Sequence, residues 1–421
     1  MKNEKIYREL QKHLDTMPVG FPSSKSGADM KLLRHIFTPE EARIACFLTH
    51  KPETINTILE RIESHCEYRR GSAVKIDSNI EGSVYTSIET LTKILDQIQR
   101  KGGIESRIKD GKRYYCNLPL VVGIYEMQVN RLTTDFLEDF SEYSRDINFG
   151  LEFLSLKKPQ MRTIPIQKSI MAINNVSHFD EVLTLFEKAD PPFVVLDCIC
   201  RKKNQMAGNP CKVTDRQETC IAVGDVATTC LLMGVGREIS REESVSIVEK
   251  NQKQGLVLQP SNTEELEFIC SCCGCCCGML NIYQKLPIPI EFWSSNFYAV
   301  VDKYGCNGCG VCEKRCQVEA VKIVENKLTH ITAFVDLNAC LGCGLCVPTC
   351  PQKAMRLVKK EQAITPPKNR EDLHEIIMAD KKAAQFGFVN GGRLNKLKVV
   401  GKLARGIVKT GKIDLLKKRH L

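Results

Sequence analysis

Apolar residues recur at helical spacing along the first part of the chain. Ile55, Ile58, Leu59 and Ile62 fall at i, i+3, i+4 and i+7, one face of a helix. Ile88, Leu91, Leu95 and Ile98 repeat the pattern between a Thr86…Glu89 capping box and a stop at Gly102-Gly103. Thr38-Pro39-Glu40-Glu41 is a helix start, with Thr38 as N-cap, Pro39 at the first helical position and Glu41 closing the box. The period then changes. Ile104–Ile108 and Arg113–Cys116 read as strands joined through Asp110-Gly111, a hairpin signal. Further on, Phe136, Leu137, Phe140 and Tyr143 form an apolar stripe, a pattern that belongs to a packed core. Met161–Ile166 reads as extended, Phe193–Leu196 as a strand, and Ser240…Glu243 opens a helix that ends near Gly255.

Helices followed by a hairpin over 30–118 resemble a winged helix-turn-helix domain, and the helix from Thr86 to Arg100 takes the place of its recognition helix. Ser87–Tyr115 holds seven Lys or Arg against four acids, a thin excess for a sequence reader. Lys93, Gln97, Gln99 and Arg100 are the side chains that could reach bases. An interaction module is favoured over DNA binding.

No apolar run approaches the roughly 18–20 residues of a spanning helix. The charged start MKNEKIYREL has no signal-peptide core, so a cytoplasmic, reducing setting is expected. The outlier is cysteine, with 22 residues in a chain of 421. In a reducing compartment such thiols serve metal or cluster ligation rather than disulfides. Three of them, Cys46, Cys66 and Cys116, are scattered through 1–190 and read as small packed hydrophobes. Nineteen crowd into 198–350. Of the net +10, residues 381–421 carry +11 and the remainder −1, so basicity belongs to the tail alone.

The strongest signal is a repeated spacing. Cys306, Cys309, Cys312 and Cys316 form C-x2-C-x2-C-x3-C, and Cys340, Cys343, Cys346 and Cys350 form it again, followed by Pro351. Gly308, Gly310, Gly342 and Gly344 let each loop turn tightly around thiolates. Residues 296–360 thereby resemble the bacterial two-cluster ferredoxin. Through its crossed pattern the resemblance implies that Cys306, Cys309, Cys312 and Cys350 hold one [4Fe–4S] cluster, and Cys340, Cys343, Cys346 and Cys316 the other. Gln317 departs from the family, which has proline there. Zinc sites rarely use so dense a run.

The middle region holds Cys198-x-Cys200 after the Phe193 strand, then Cys211, Cys220, Cys230 and the run Cys270, Cys272, Cys273, Cys275, Cys276, Cys277. Cys230, beside Leu231 and Leu232, reads as packed. Six adjacent thiols cannot all serve one cubane, because neighbouring side chains diverge. If Cys198 and Cys200 continue the strand, they project to one side as a clamp. Cys211 and Cys220 then fold over it from a polar loop, part of the Cys270–Cys277 run closes it, and Arg201, Lys202 and Lys203 offset its charge. A further iron–sulfur centre is the favoured reading. Zinc and exchangeable disulfides are the alternatives. From Arg162-Thr163-Ile164-Pro165-Ile166 to the ferredoxin repeats, the order of motifs resembles a family of multi-cluster ferredoxin-type proteins of anaerobes. This resemblance implies electron transfer in anaerobic metabolism. The double Cys-Cys-Gly (272–274 and 276–278) also resembles the cysteine-rich subunits of heterodisulfide-reductase-like enzymes, though the partner spacings differ.

The expected architecture is α+β and multidomain. A winged-helix-like domain spans 30–118, a helical connector 119–190, a cysteine-rich cluster domain 191–295, the ferredoxin-like domain 296–360, and a basic amphipathic or flexible tail 361–421. Leu394, Leu397, Val400, Leu403, Ile407 and Val408 recur among Lys and Arg in that tail, which suits an anionic membrane surface or an acidic partner. Gly234-Val235-Gly236 is too short for a nucleotide fingerprint, no P-loop or nucleophile–base pair is present, and His178, His330 and His374 are scattered. The expected function is single-electron transfer to or from an anaerobic oxidoreductase partner, as a carrier or subunit rather than a stand-alone enzyme. The rivals are a redox-sensing transcription regulator and a reductase subunit with a catalytic middle cluster.

Overall fold

The computed structural model describes residues 2–71, 87–154, 156–325 and 331–389. Thr86, His330 and the tail stripe Leu394–Val408 lie outside the described residues, as does the side chain of Cys66. The chain divides into two compact units, Met1–Phe153 with Asp225–Arg237, and Leu154–Gly224 with Glu238–Leu421. Among the described residues no helix is long and apolar enough to cross a membrane.

In the first unit the helix starts obey local chemistry. Thr38 accepts from the Glu41 N–H while Glu41 Oε2 accepts from the Thr38 N–H at 2.8 Å, closing the box that the sequence announces at helix Pro39–Ala45. Helix Ile55–Gly71 follows the two-residue strand β1 (Glu53–Thr54). Helix Ile88–Arg100 is capped by Ser87, whose side chain accepts from the Thr90 N–H, in place of the expected Thr86 box. Its buried stripe is Leu91, Ile94, Leu95 and Ile98, whereas Ile88 is 48% exposed because it sits at the helix start, short of the packed face. Gln99, expected on the outward face, is buried, which removes it from any surface that could meet DNA. Strands β2 (Ile104–Lys109) and β3 (Lys112–Asn117) pair antiparallel, and β1 joins them in the order β1-β3-β2. Their turn has positive φ at both Asp110 (51°) and Gly111 (70°), which is what a two-residue hairpin requires.

Further helices complete this unit. Helix Lys2–Asp15 buries Ile6, Tyr7, Leu10 and Leu14. The aromatic stripe proves to be core: Phe136, Phe140 and Tyr143 are buried on helix Thr134–Ser144, and Tyr125 stacks on Phe140 with ring centres 3.9 Å apart. Cys230 lies fully buried in helix Gly224–Leu232, and burial pushes its thiol up to about 12.

The second unit is built on a five-stranded sheet. Its strands are β4 (Phe193–Asp197), β5 (Glu218–Val223), β6 (Arg237–Ile239), β7 (Val257–Pro260) and β8 (Phe268–Cys272), in the order β6-β4-β5-β8-β7. Helix Arg241–Gln254 packs on it, started by the Ser240 hydroxyl accepting from Glu243 N–H and stopped by left-handed Gly255. Four more strands follow: β9 (Phe297–Val301), β10 (Val321–Glu325), β11 (Ile331–Val335) and β12 (Met355–Lys359). They form two antiparallel pairs, β9 with β12 and β10 with β11. One apolar core runs through both parts, from Val195, Ile221 and Ile269 to Phe297, Val321 and Leu357. The extended segment Met161–Ile166 is tied in by bridges Met161↔Ser261, Arg162↔Ser294 and Ile164↔Leu258. Arg162 makes a buried ion pair with Asp180 at 3.2 Å; burial holds the guanidinium down to about 10 and pushes the carboxyl up.

Candidate iron–sulfur and metal sites

The two cysteine loops are laid out alike. Each lies between two strands, the first between β9 and β10 and the second between β11 and β12, so the antiparallel pairing relates them as near-equivalent halves. Gly308 and Gly310 in the first loop, and Gly342 and Gly344 in the second, all have positive φ; so do Glu319 and Lys353 after the last cysteine of each. The glycines also permit close backbone approach. A Cβ on Gly342 would lie 2.1 Å from the Phe297 carbonyl oxygen, and one on Gly308 2.7 Å from that of Ile331.

In this arrangement Cys350 lies beside the first loop's cysteines and Cys316 beside those of the second. Cys306, Cys309, Cys312 and Cys350 line one recess, with Ile323 and Met355 behind them. In the second set, burial pushes the Cys343 thiol up to about 12, helped by the neighbouring charges of Cys316 and Cys340. Cys346 is pushed well up by burial and then by Cys343, Cys340, Cys316 and, from the first set, Cys312. Backbone N–H groups point at the sulfurs. Ala333 donates to Cys306 Sγ at 3.3 Å, Ala299 to Cys340 Sγ at 3.3 Å, and Ala320 to Cys316 Sγ at 3.2 Å. Burial opposes ionisation of Cys306, but the Ala333 N–H, the Thr332 hydroxyl and the Gly308 N–H bring its thiol below the ordinary value. Two convergent sets of four thiols, each served by N–H donors, fit [4Fe–4S] clusters by the chemistry of the donors. The first set is the outer one: Cys309 is exposed, while Cys340 and Cys346 are buried.

The middle cysteines are arranged differently from the expected clamp. β4 stops at Asp197, and Cys198 is the N-cap of helix Ile199–Met206, so the first helical turn rather than strand alternation brings Cys198 and Cys200 together. Cys220 sits on β5, opposite Leu196, not in a loop. Six thiols face one another around a ring: Cys198 is beside Cys200, Cys200 beside Cys277, Cys277 beside Cys272, Cys272 beside Cys270, Cys270 beside Cys220, and Cys220 beside Cys198. The other four, Cys211, Cys273, Cys275 and Cys276, gather separately, with all their sulfurs within 4.8 Å of one another.

Arg201 lies among the ring and these four. It is 1% exposed, and its guanidinium donates to Thr219 Oγ1 and, at 2.7 Å, to the Ser271 carbonyl. Burial works against its charge, but Cys198, Cys220, Cys273 and Cys272 facing it raise its pKa above the usual value. Of the three cations named from sequence, this one is buried among the thiols; Lys202 instead pairs with Asp197 at 3.5 Å. Its position could not be read from spacing, since it depends on a helix beginning one residue after the strand. Gln317, where the two-cluster ferredoxins have proline, ties the first ferredoxin loop to the Cys270–Cys277 run through Gly274. His178 is exposed and faces Glu264 at 3.6 Å; His374 is buried on helix Arg370–Val389.

A family model, the 4Fe-4S dicluster domain, matches residues 304–364. No curated protein and no solved structure matches the chain. With the clustered cysteines, this match identifies an iron–sulfur protein with an electron-transfer role.

Proposed function

We propose that this chain passes single electrons between redox partners through two [4Fe–4S] clusters and a further centre in the middle region. When bound, a [4Fe–4S] cluster takes up and releases one electron. Cys306, Cys309, Cys312 and Cys350 would hold the outer cluster, and Cys340, Cys343, Cys346 and Cys316 the inner one. The observation that carries this reading is the convergence of the two loops, each giving its last cysteine to the other's set, within the region matched by the dicluster model. Exposed Cys309 and its recess form the edge where a partner oxidoreductase would approach. The N–H donors from Ala299, Ala320 and Ala333 spread thiolate charge and favour the reduced state of their clusters.

The six-thiol ring, with buried Arg201 as counter-charge, supports the further centre. The N-terminal helices and hairpin act in this reading as a winged-helix-like interaction module. The basic tail, at an anionic membrane surface or an acidic partner, adds a second contact. Full-length protein purified without oxygen, with iron and acid-labile sulfide counted and the reduced state examined by EPR, tests the reading. Two interacting reducible cubane signals are expected, and their absence from iron-replete protein refutes it.

A redox-sensing regulator remains the rival because the hairpin β2–β3 follows helix Ile88–Arg100 as a wing would. Against it, the candidate base-reading face loses Gln99 to the core, and Asp96 on the same helix pairs with Arg113 at 2.6 Å. A gel shift on the DNA upstream of its own gene, oxidised and reduced, separates the two.

A further inference from the structure

We propose that Cys211, Cys273, Cys275 and Cys276 bind one zinc ion, a closed mononuclear site separate from every iron–sulfur centre of the chain.

Size separates a single-ion site from a cubane site. Four thiolates around a single ion at about 2.3 Å stand about 3.8 Å apart along each edge of the tetrahedron. The sulfurs of Cys211 and Cys273 are 3.6 Å apart, those of Cys211 and Cys275 3.7 Å, and those of Cys275 and Cys276 3.6 Å. A cubane places each thiolate on a different iron at a different corner, which spreads the sulfurs much further. The chain carries its own comparison. All eight ferredoxin cysteines are described, and no three of them form a group as compact as this one. Nor does any trio from the six-thiol ring.

Local chemistry agrees. Cys273 and Cys276 are buried, Cys211 and Cys275 half-buried, and Leu256 and Val213 pack beside them. The Val213 N–H donates to Cys211 Sγ at 3.4 Å within the loop, and Asn204 Nδ2, from helix Ile199–Met206, donates to the Cys275 carbonyl at 3.2 Å. Arg201 faces Cys273 and supplies a cation against the excess charge of a tetrathiolate. Four protein thiolates leave no open position, as in structural zinc sites, and soft sulfur ligands bind Zn2+ more strongly than Fe2+. Thus the run divides its work. Cys273, Cys275 and Cys276 clamp the loop that carries Cys211, and this sets the direction in which Cys270, Cys272 and Cys277 point into the ring.

This inference does not depend on the electron-transfer reading, and different elements report on each. The full chain, purified anaerobically with its iron, is assayed for zinc, iron and sulfide. One zinc per chain is expected, and Cys211→Ser should lose that zinc while iron and sulfide stay unchanged. If the parent protein holds no zinc, or if Cys211→Ser loses iron and sulfide in step, the proposal is overturned. Zinc-edge X-ray absorption on the unmutated protein keeps the test valid should the variant fail to fold. Four sulfur neighbours at about 2.3 Å support the site; nitrogen or oxygen neighbours, or iron in the next shell, refute it.

Discussion

Gln317 Oε1 accepts a 2.9 Å hydrogen bond from the backbone N–H of Gly274, joining the first ferredoxin loop to the middle of the Cys270–Cys277 run. The Gln317 carbonyl in turn accepts from Gln284 Nε2 at 2.9 Å, and a Cβ on Gly274 would fall 2.1 Å from that carbonyl. Proline, the residue of the bacterial two-cluster ferredoxin at this position, could not make the side-chain bond. Gln317→Pro should cost about 1 kcal/mol through the unpaired amide. Gly274→Ala should cost about 1–3 kcal/mol through the clash. Denaturant unfolding under anaerobic conditions measures both, and a Gly274→Ala change smaller than that of Gln317→Pro would contradict the geometry.

Paired replacement of Cys312 and Cys346 by Ser removes one buried ligand from each ferredoxin set. About eight iron atoms should be lost with both reducible EPR signals. Cys312→Ser alone should remove one signal and leave the other, because the two sets do not share ligands.

Gly342 has φ +66°, and a Cβ there meets the Phe297 carbonyl at 2.1 Å, so Gly342→Ala should strip iron from the protein. Gly150, in helix Ile147–Leu154, has nothing within 4 Å of an added Cβ and no left-handed φ. Gly150→Ala should therefore keep full iron content and stabilise the protein by about 0.5–1 kcal/mol. Iron assay and thermal unfolding of the two variants side by side check this.

Burial raises the thiols of Cys46 and Cys230 to about 12. At pH 8 only about one in ten thousand such groups is thiolate, the reactive form. Because the folded value is raised, alkylation of the native protein should stay negligible at pH 8 and increase only toward pH 12. Unfolding should expose both to rapid labelling. Mass spectrometry of iodoacetamide-treated native protein checks this, and fast modification of either cysteine at pH 8 would contradict the raised thiol.

Removal of residues 390–421 should leave iron, sulfide and zinc content unchanged while weakening sedimentation with anionic vesicles, since those residues carry most of the tail's Lys and Arg. Unchanged sedimentation would exclude the membrane role of the tail.

Much of this protein is written locally. The Thr38–Glu41 box, the Asp110-Gly111 turn, the Ser240 cap and the Gly255 stop each depend on a few neighbouring residues, so sequence alone places the helices and the hairpin. The repeated four-cysteine spacing is local in the same way, since three cysteines and their glycine turns lie within one short segment of each loop; which loop the last cysteine of each serves is decided by the fold. The long-range arrangement is different in kind. Strand β4 gives way to a helix at Cys198, and Cys220 belongs to a strand; both follow from where the sheet pairs, not from spacing. Whether Cys275 faces the ring or the compact four depends on how the Cys211 loop crosses the turn. That crossing rests on contacts far apart in the chain: Cys211 meets Cys273 and Cys275, and Asn204 holds the Cys275 carbonyl. Sequence counts the ten middle thiols, but only packing in three dimensions sorts them into six and four, because sulfur–sulfur distance is a property of the fold and not of the order of residues.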